Sequence, residues 1–165
     1  MKTLKRLYVL RHGHAVPYSY SQDAQRKLTE KGVAQVISTA EAFVKKAEHL
    51  DVVFVSPYLR AQQTAKTFLA TLGESVEVKD CPEITPDGRV VNVAAWLGEQ
   101  DDNAILLVTH QPFAYQLIDY LVDEYLASRS LDGNRDHGCP RRGIVGRRLL
   151  PIPLENFSTL TFYWF

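Results

Sequence analysis

Three short runs hold most of the side chains that could do chemistry. Arg11-His12-Gly13-His14 follows the apolar run Leu7 to Leu10. Ser56-Pro57-Tyr58-Leu59-Arg60 follows a second apolar run, Val52 to Val55. His110 closes a third, Ala104 to Thr109. Two imidazoles and two guanidinium groups brought to one place would make an anion site containing a nucleophile. Arginine presents five donors in a planar fork that matches a phosphoryl group. Neutral imidazole is nucleophilic near pH 7 and can take a phosphoryl group onto nitrogen. A second, charged histidine would offset negative charge on the equatorial oxygens. Gly13 would let the backbone pass close to the ligand.

Other chemistries find less support. His12 and His14 lack a third metal ligand at a recognisable spacing, so no metal site is expected. There is no Walker sequence, no dinucleotide-binding glycine pattern and no nucleophile elbow, so no cofactor is expected. Ser56 could be taken for a nucleophile, but nothing near it in the sequence reads as a base. His14 is read equally well as an ordinary loop residue.

The elements around these runs explain how they could meet. Leu7 to Leu10 favour a buried strand. Arg11 to Tyr20 read as a loop. Thr29 is a plausible N-cap for a helix over Glu30 to Lys46, with Val33, Val36, Ile37, Ala40, Phe43, Val44 and Ala47 at spacings of three and four. A strand through Val52 to Val55 leads into a helix with Ala61, Ala65, Phe68 and Leu72 on one side, stopped by Gly73. A strand over Val76 to Lys79, a loop over Pro82 to Gly88 and a short helix over Arg89 to Leu97 come next. The strongest strand signal, Ala104 to Thr109, precedes a helix over Phe113 to Ala127. Ser158 to Phe165 have strand composition. Alternating strands and helices predict an α/β sandwich with a mainly parallel sheet. Ligands of such sheets bind beyond the strand C-termini, where all three runs fall.

Length and composition bound the reading. The 165 residues suit one domain, 1–165, able to bury about two thirds of its unfolded surface. Nineteen basic residues balance nineteen acidic ones, which argues against a nucleic-acid binder that works by neutralising many phosphates. No apolar stretch approaches the roughly 20 residues of a membrane span. The N-terminal apolar run is cut short by Arg11, unlike a signal peptide. Cys81 and Cys139 alone cannot make a disulfide scaffold. A cytoplasmic monomer is expected. Residues 129–157 are rich in Arg, Gly and Pro and read as an irregular attachment, with His137 and Cys139 as plain loop residues.

Leu10-Arg11-His12-Gly13-His14, the run from Ser56 to Ala65, and Val108-Thr109-His110-Gln111-Pro112 together resemble the histidine phosphatase superfamily, which includes the phosphoglycerate mutases. Chain size and the run Pro82 to Gly88 resemble its small SixA-type branch of phosphohistidine phosphatases. The resemblance covers about residues 4–127. It implies a three-layer, phosphoglycerate mutase-like sandwich with a mixed sheet, mostly parallel with one antiparallel edge strand. It implies that His12 becomes phosphorylated and that Arg11 and Arg60 clamp the phosphate. Arg26, in Arg26-Lys27-Leu28-Thr29, would be a third clamp, and His110 the second active-site histidine. Gly13 belongs to the motif backbone, and Glu83 stands where many members carry a proton donor.

A metal-independent phosphatase with a phosphohistidine intermediate follows as the expectation. An imidazole leaving group is far less basic than an alkoxide and has less need of a proton donor. No long insertion is available to roof a small-molecule pocket. Both points favour a phosphohistidine-bearing protein domain of a two-component relay as substrate. A small-molecule or sugar-phosphate phosphatase, and a non-catalytic phosphate-binding module, stand as alternatives.

Overall fold

A computed structural model describes residues 5–18, 22–46, 49–131 and 157–163. His137, Cys139 and the rest of 132–156 lie outside the described residues, as do Ala47, Trp164 and Phe165. The strands are β1 (Lys5–Arg11), β2 (Val52–Val55), β3 (Glu77–Asp80), β4 (Ala104–Thr109) and β5 (Phe157–Tyr163). The helices are α1 (Glu30–Lys45), α2 (Leu59–Leu72), α3 (Val90–Glu99) and α4 (Phe113–Leu131), with single 3-10 turns at Asp23–Gln25 and Pro82–Ile84. The strands form one sheet in the order β3-β2-β4-β1-β5.

β2 and β4 are buried at every position, as expected of central strands covered on both faces. Their side chains alternate between two cores. Tyr8, Leu10, Val53, Val55, Leu106 and Val108 point to one face and meet Val36, Ala40 and Phe43 of α1 with Ala61, Ala65 and Phe68 of α2. Leu7, Val9, Val52, Phe54, Ile105 and Leu107 point to the other and meet Val93 and Leu97 of α3 with Phe113, Ala114 and Leu117 of α4. The expected three-layer sandwich results. The apolar stripe of α1 is narrower than its sequence suggests, because Val33, Ile37 and Val44 stay partly exposed.

Local chemistry sets the helix ends. The Thr29 hydroxyl accepts the Gly32 N–H and caps α1, as expected. Gly73, at φ 70°, ends α2 in the left-handed region where a glycine carries no steric penalty. All five strand expectations hold to within a residue or two. The implied antiparallel edge strand does not: all four strand pairings are parallel, and β5 runs parallel to β1 at the sheet edge. A parallel return requires a crossover, and α4 with residues 132–156 provides the length. No helix among the described residues is long and apolar enough to cross a membrane.

Candidate active site

β1, β4 and β2 lie side by side, so their C-terminal ends bring the three runs together. Arg11 pairs with Thr109 in the β1–β4 register, and the His12 N–H donates to the Thr109 carbonyl at 3.0 Å. His12 and His110 are therefore consecutive to paired residues on adjacent strands. Their ring centroids are 5.1 Å apart.

The surroundings of His12 determine its tautomer. Its Nδ1 lies 2.7 Å from the Gly13 carbonyl, which can only accept, so Nδ1 carries the proton. Its Nε2 lies 3.1 Å from Arg60 Nε, which can only donate, so Nε2 holds the lone pair. Burial, followed by the charges of Arg60, Arg11 and Arg26, lowers the His12 pKa to about 4, against a weaker upward pull from the Gly13 hydrogen bond. The result is a neutral imidazole with one bare nitrogen under a guanidinium group.

Arg60 sits in the first turn of α2 and is almost wholly buried. Its Nη1 donates to the Asp23 carbonyl at 2.7 Å and its Nη2 to the Asp23 carboxylate at 3.1 Å. The same carboxylate accepts Arg26 Nε at 2.7 Å, while Arg26 Nη1 donates to the Val16 carbonyl. Asp23 thus ties two of the expected phosphate clamps together. Burial works against its ionisation, but the hydrogen bonds from Arg60 and Arg26 prevail and hold its carboxyl below the usual range. Sequence reasoning missed Asp23. Its one signal was the i, i+3 spacing to Arg26, which is common on surfaces.

His110 is buried at the end of β4. Its Nε2 lies 2.6 Å from the Ser56 hydroxyl, and the Tyr58 ring meets it edge-on at 4.9 Å. Burial, then the proximity of His12 and Arg60, lowers its pKa to about 3. The expected charged histidine is therefore corrected: in the free site it is neutral, because burial and the surrounding positive charge outweigh the upward pull of Asp23. The expectation that Ser56 has no base nearby is corrected too. The pair is nonetheless not a serine nucleophile, since the Ser56 side chain is fully buried and the far nitrogen of His110 has no carboxylate to orient it.

The remaining candidates divide. Arg11 is close enough for its charge to act on His12. Gly13 is required for packing as well as access, because a Cβ there would stand 2.6 Å from the Gly32 carbonyl oxygen of α1. Its N–H donates to Thr64 Oγ1 at 3.1 Å. His14 is exposed, with Nδ1 2.8 Å from Thr29 Oγ1, and belongs to the loop that leads into α1. Glu83 sits in the 3-10 turn Pro82–Ile84. Its segment reaches β4, where Thr109 Oγ1 donates to the Ile84 carbonyl, and its exposed carboxylate accepts the Cys81 thiol at 3.4 Å. No cluster of three or more His, Cys, Asp or Glu among the described residues could hold a metal ion.

The depressed pKa values make a direct prediction. In the unfolded chain both imidazoles take a proton near pH 6.5; in the folded protein they stay neutral until about 4 for His12 and 3 for His110. Between those limits the unfolded state binds more protons. Stability is therefore complete above about pH 6.5 and declines as the pH falls toward 4. In an NMR titration both rings should remain neutral at pH 5. A His12 ring protonated at pH 6 would contradict the arrangement.

Comparison with known proteins agrees with this geometry. The sequence pattern of the histidine phosphatase superfamily (branch 1) matches residues 7–84. The phosphohistidine phosphatase SixA of Escherichia coli is 31% identical over 121 residues, covering 72% of each chain. An uncharacterised protein of Picosynechococcus is 34% identical over 111 residues, and the chain spans 66% of that relative's length. Among solved structures, the protein histidine phosphatase SixA complexed with tungstate superposes with a TM-score of 0.66 at 30% identity, covering 70% of this chain and 75% of that one. A fold with the same layered sheet, two imidazoles at its C-terminal edge and these relatives leave one conclusion: the chain belongs to the histidine phosphatase superfamily and, within it, to the SixA-type branch of phosphatases.

Proposed function

We propose that this phosphatase removes phosphoryl groups from phosphohistidine on a protein domain, through a phospho-His12 intermediate. The observation that carries the reading is the state of His12: Nδ1 held protonated by Gly13 and Nε2 left with its lone pair beside Arg60. In the first step Nε2 attacks phosphorus in line and the bond from phosphorus to the substrate imidazole breaks. The leaving ring departs neutral when its second nitrogen already carries a proton. In the second step water attacks phosphorus, the bond to His12 Nε2 breaks, His12 returns to its neutral Nδ1–H form, and both water protons leave with the product as dihydrogen phosphate. Arg11, Arg26, Arg60 and His110 offset the charge on the phosphoryl oxygens in both steps. Binding of a phosphoryl dianion gives Arg60 Nε–H a better acceptor than His12 and so frees the attacking lone pair.

The choice of substrate rests on the leaving group. An alkoxide needs a proton donor beside the scissile bond. Asp23 is held ionised by two arginines and does not supply that proton, while Glu83 is exposed and accepts the Cys81 thiol. Imidazole, with a pKa of about 6.5, does not require it. The name of the Escherichia coli relative, phosphohistidine phosphatase, supports the same choice. In the test, the protein is incubated separately with a phosphohistidine-bearing transfer domain and with p-nitrophenyl phosphate. Rapid phosphate release from the domain, with slow release from the ester, is the expected result. Release from the ester alone would overturn the choice in favour of a small-molecule phosphatase. Tight phosphate binding without turnover on either would favour a binding module.

A further inference from the structure

Ser56 takes no part in the steps above, yet its hydroxyl is buried in the site and paired with His110. It follows the last residue of β2 and is fully buried. Its N–H donates to the Val108 carbonyl of β4, and its own carbonyl accepts Gln62 Nε2 from α2. Its position is thus set from both sides. Its Oγ accepts the Tyr58 N–H at 3.4 Å and lies 2.6 Å from His110 Nε2.

The proton count leaves little freedom. The Ser56 hydroxyl has one hydrogen, and among the described residues His110 Nε2 is the one acceptor paired with it. Nδ1 is unpaired in either tautomer, so an Nε2–H would orphan the hydroxyl hydrogen as well, whereas a donating hydroxyl leaves one unsatisfied group in place of two. The hydroxyl therefore donates to Nε2. A neutral imidazole carries one N–H, which must then lie on Nδ1. That atom is buried and has no hydrogen-bond partner in the free protein. A buried donor held without a partner, on a ring 5.1 Å from His12, is a site prepared for an external acceptor.

We propose that Ser56 is a positioning residue: its hydroxyl fixes His110 in the Nδ1–H tautomer and so presents a neutral donor to a phosphoryl oxygen bound at His12. This rests on the assignment of the phosphoryl site to His12. The role is electronic as well as structural, because the opposite tautomer would turn a lone pair toward the anion and repel it.

The test has three arms. In the free wild-type protein, ring ¹⁵N shifts should show His110 Nδ1 protonated and Nε2 not. In Ser56→Ala, the two nitrogens should move toward intermediate shifts as both tautomers become populated. Inorganic phosphate should bind the Ala variant about tenfold more weakly, the effect of one lost buried hydrogen bond. Ser56→Thr, which keeps the hydroxyl, should restore both properties. A wild-type His110 with its proton on Nε2 would overturn the proposal, as would an Ala variant with unchanged shifts and phosphate affinity. These readouts require no turnover. If the tautomer is as stated but no substrate is dephosphorylated, the proposed function fails and the Ser56 assignment stands.

Discussion

Turnover of the His12→Ala variant is expected to fall by on the order of 10⁴-fold or more, to the background rate. In the proposed mechanism the side chain supplies the attacking nitrogen, and no neighbour can replace it. His110 Nε2 is engaged by Ser56, and the nearby carboxylate of Asp23 is tied to Arg60 and Arg26. The arginines would still bind phosphate, so the variant should retain much of its affinity for that ion while losing chemistry. The covalent intermediate gives a second, independent readout. Wild-type protein quenched without acid during turnover should carry phosphate on His12 by mass spectrometry, and the variant should carry none. A variant that keeps the wild-type rate would remove His12 from the mechanism.

The second large effect is expected at Arg60. Arg60→Lys preserves the charge but not the fork. Three separate donors are used in the free site: Nε to His12, Nη1 to the Asp23 carbonyl and Nη2 to the Asp23 carboxylate. A lysine ammonium, on a flexible stem, cannot make this planar set. Loss of an arginine that stabilises a phosphoryl transition state typically costs about 10³-fold or more. kcat/KM for the Lys variant should fall by about that factor, with folding checked by circular dichroism. A loss of less than about tenfold would show that charge alone is needed at this position.

Much of the architecture could be read from short-range patterns. Short continuous apolar runs with branched residues, such as Ala104 to Thr109, read as covered strands, and the N-cap Thr29 and stop Gly73 act within a turn of themselves. The candidate residues His12, Arg11, Arg60, Arg26 and His110 could be picked out because each lies beside a strand end or in a distinctive run. What escaped depends on long-range pairing. Asp23 acquires its meaning from Arg60, which is 37 positions away in sequence. Ser56 acquires its meaning from His110, 54 positions away. The tight approach of Gly13 to Gly32 depends on how a loop lands on a helix. The direction of β5 depends on a crossover whose course no local pattern encodes. The Cys81 thiol on the Glu83 carboxylate is a further contact that the sequence does not announce.

The direct pairing of β1 with β4 has an evolutionary consequence. The distance between the two histidines is set by the spacing of hydrogen-bonded strands, a dimension common to all sheets. It does not depend on any loop length. Sequence can therefore be gained, lost or exchanged outside these two strands, at the sheet margins and after α4, with the two histidines kept in register. Substrate preference is free to diverge at the periphery while the reaction itself is inherited intact.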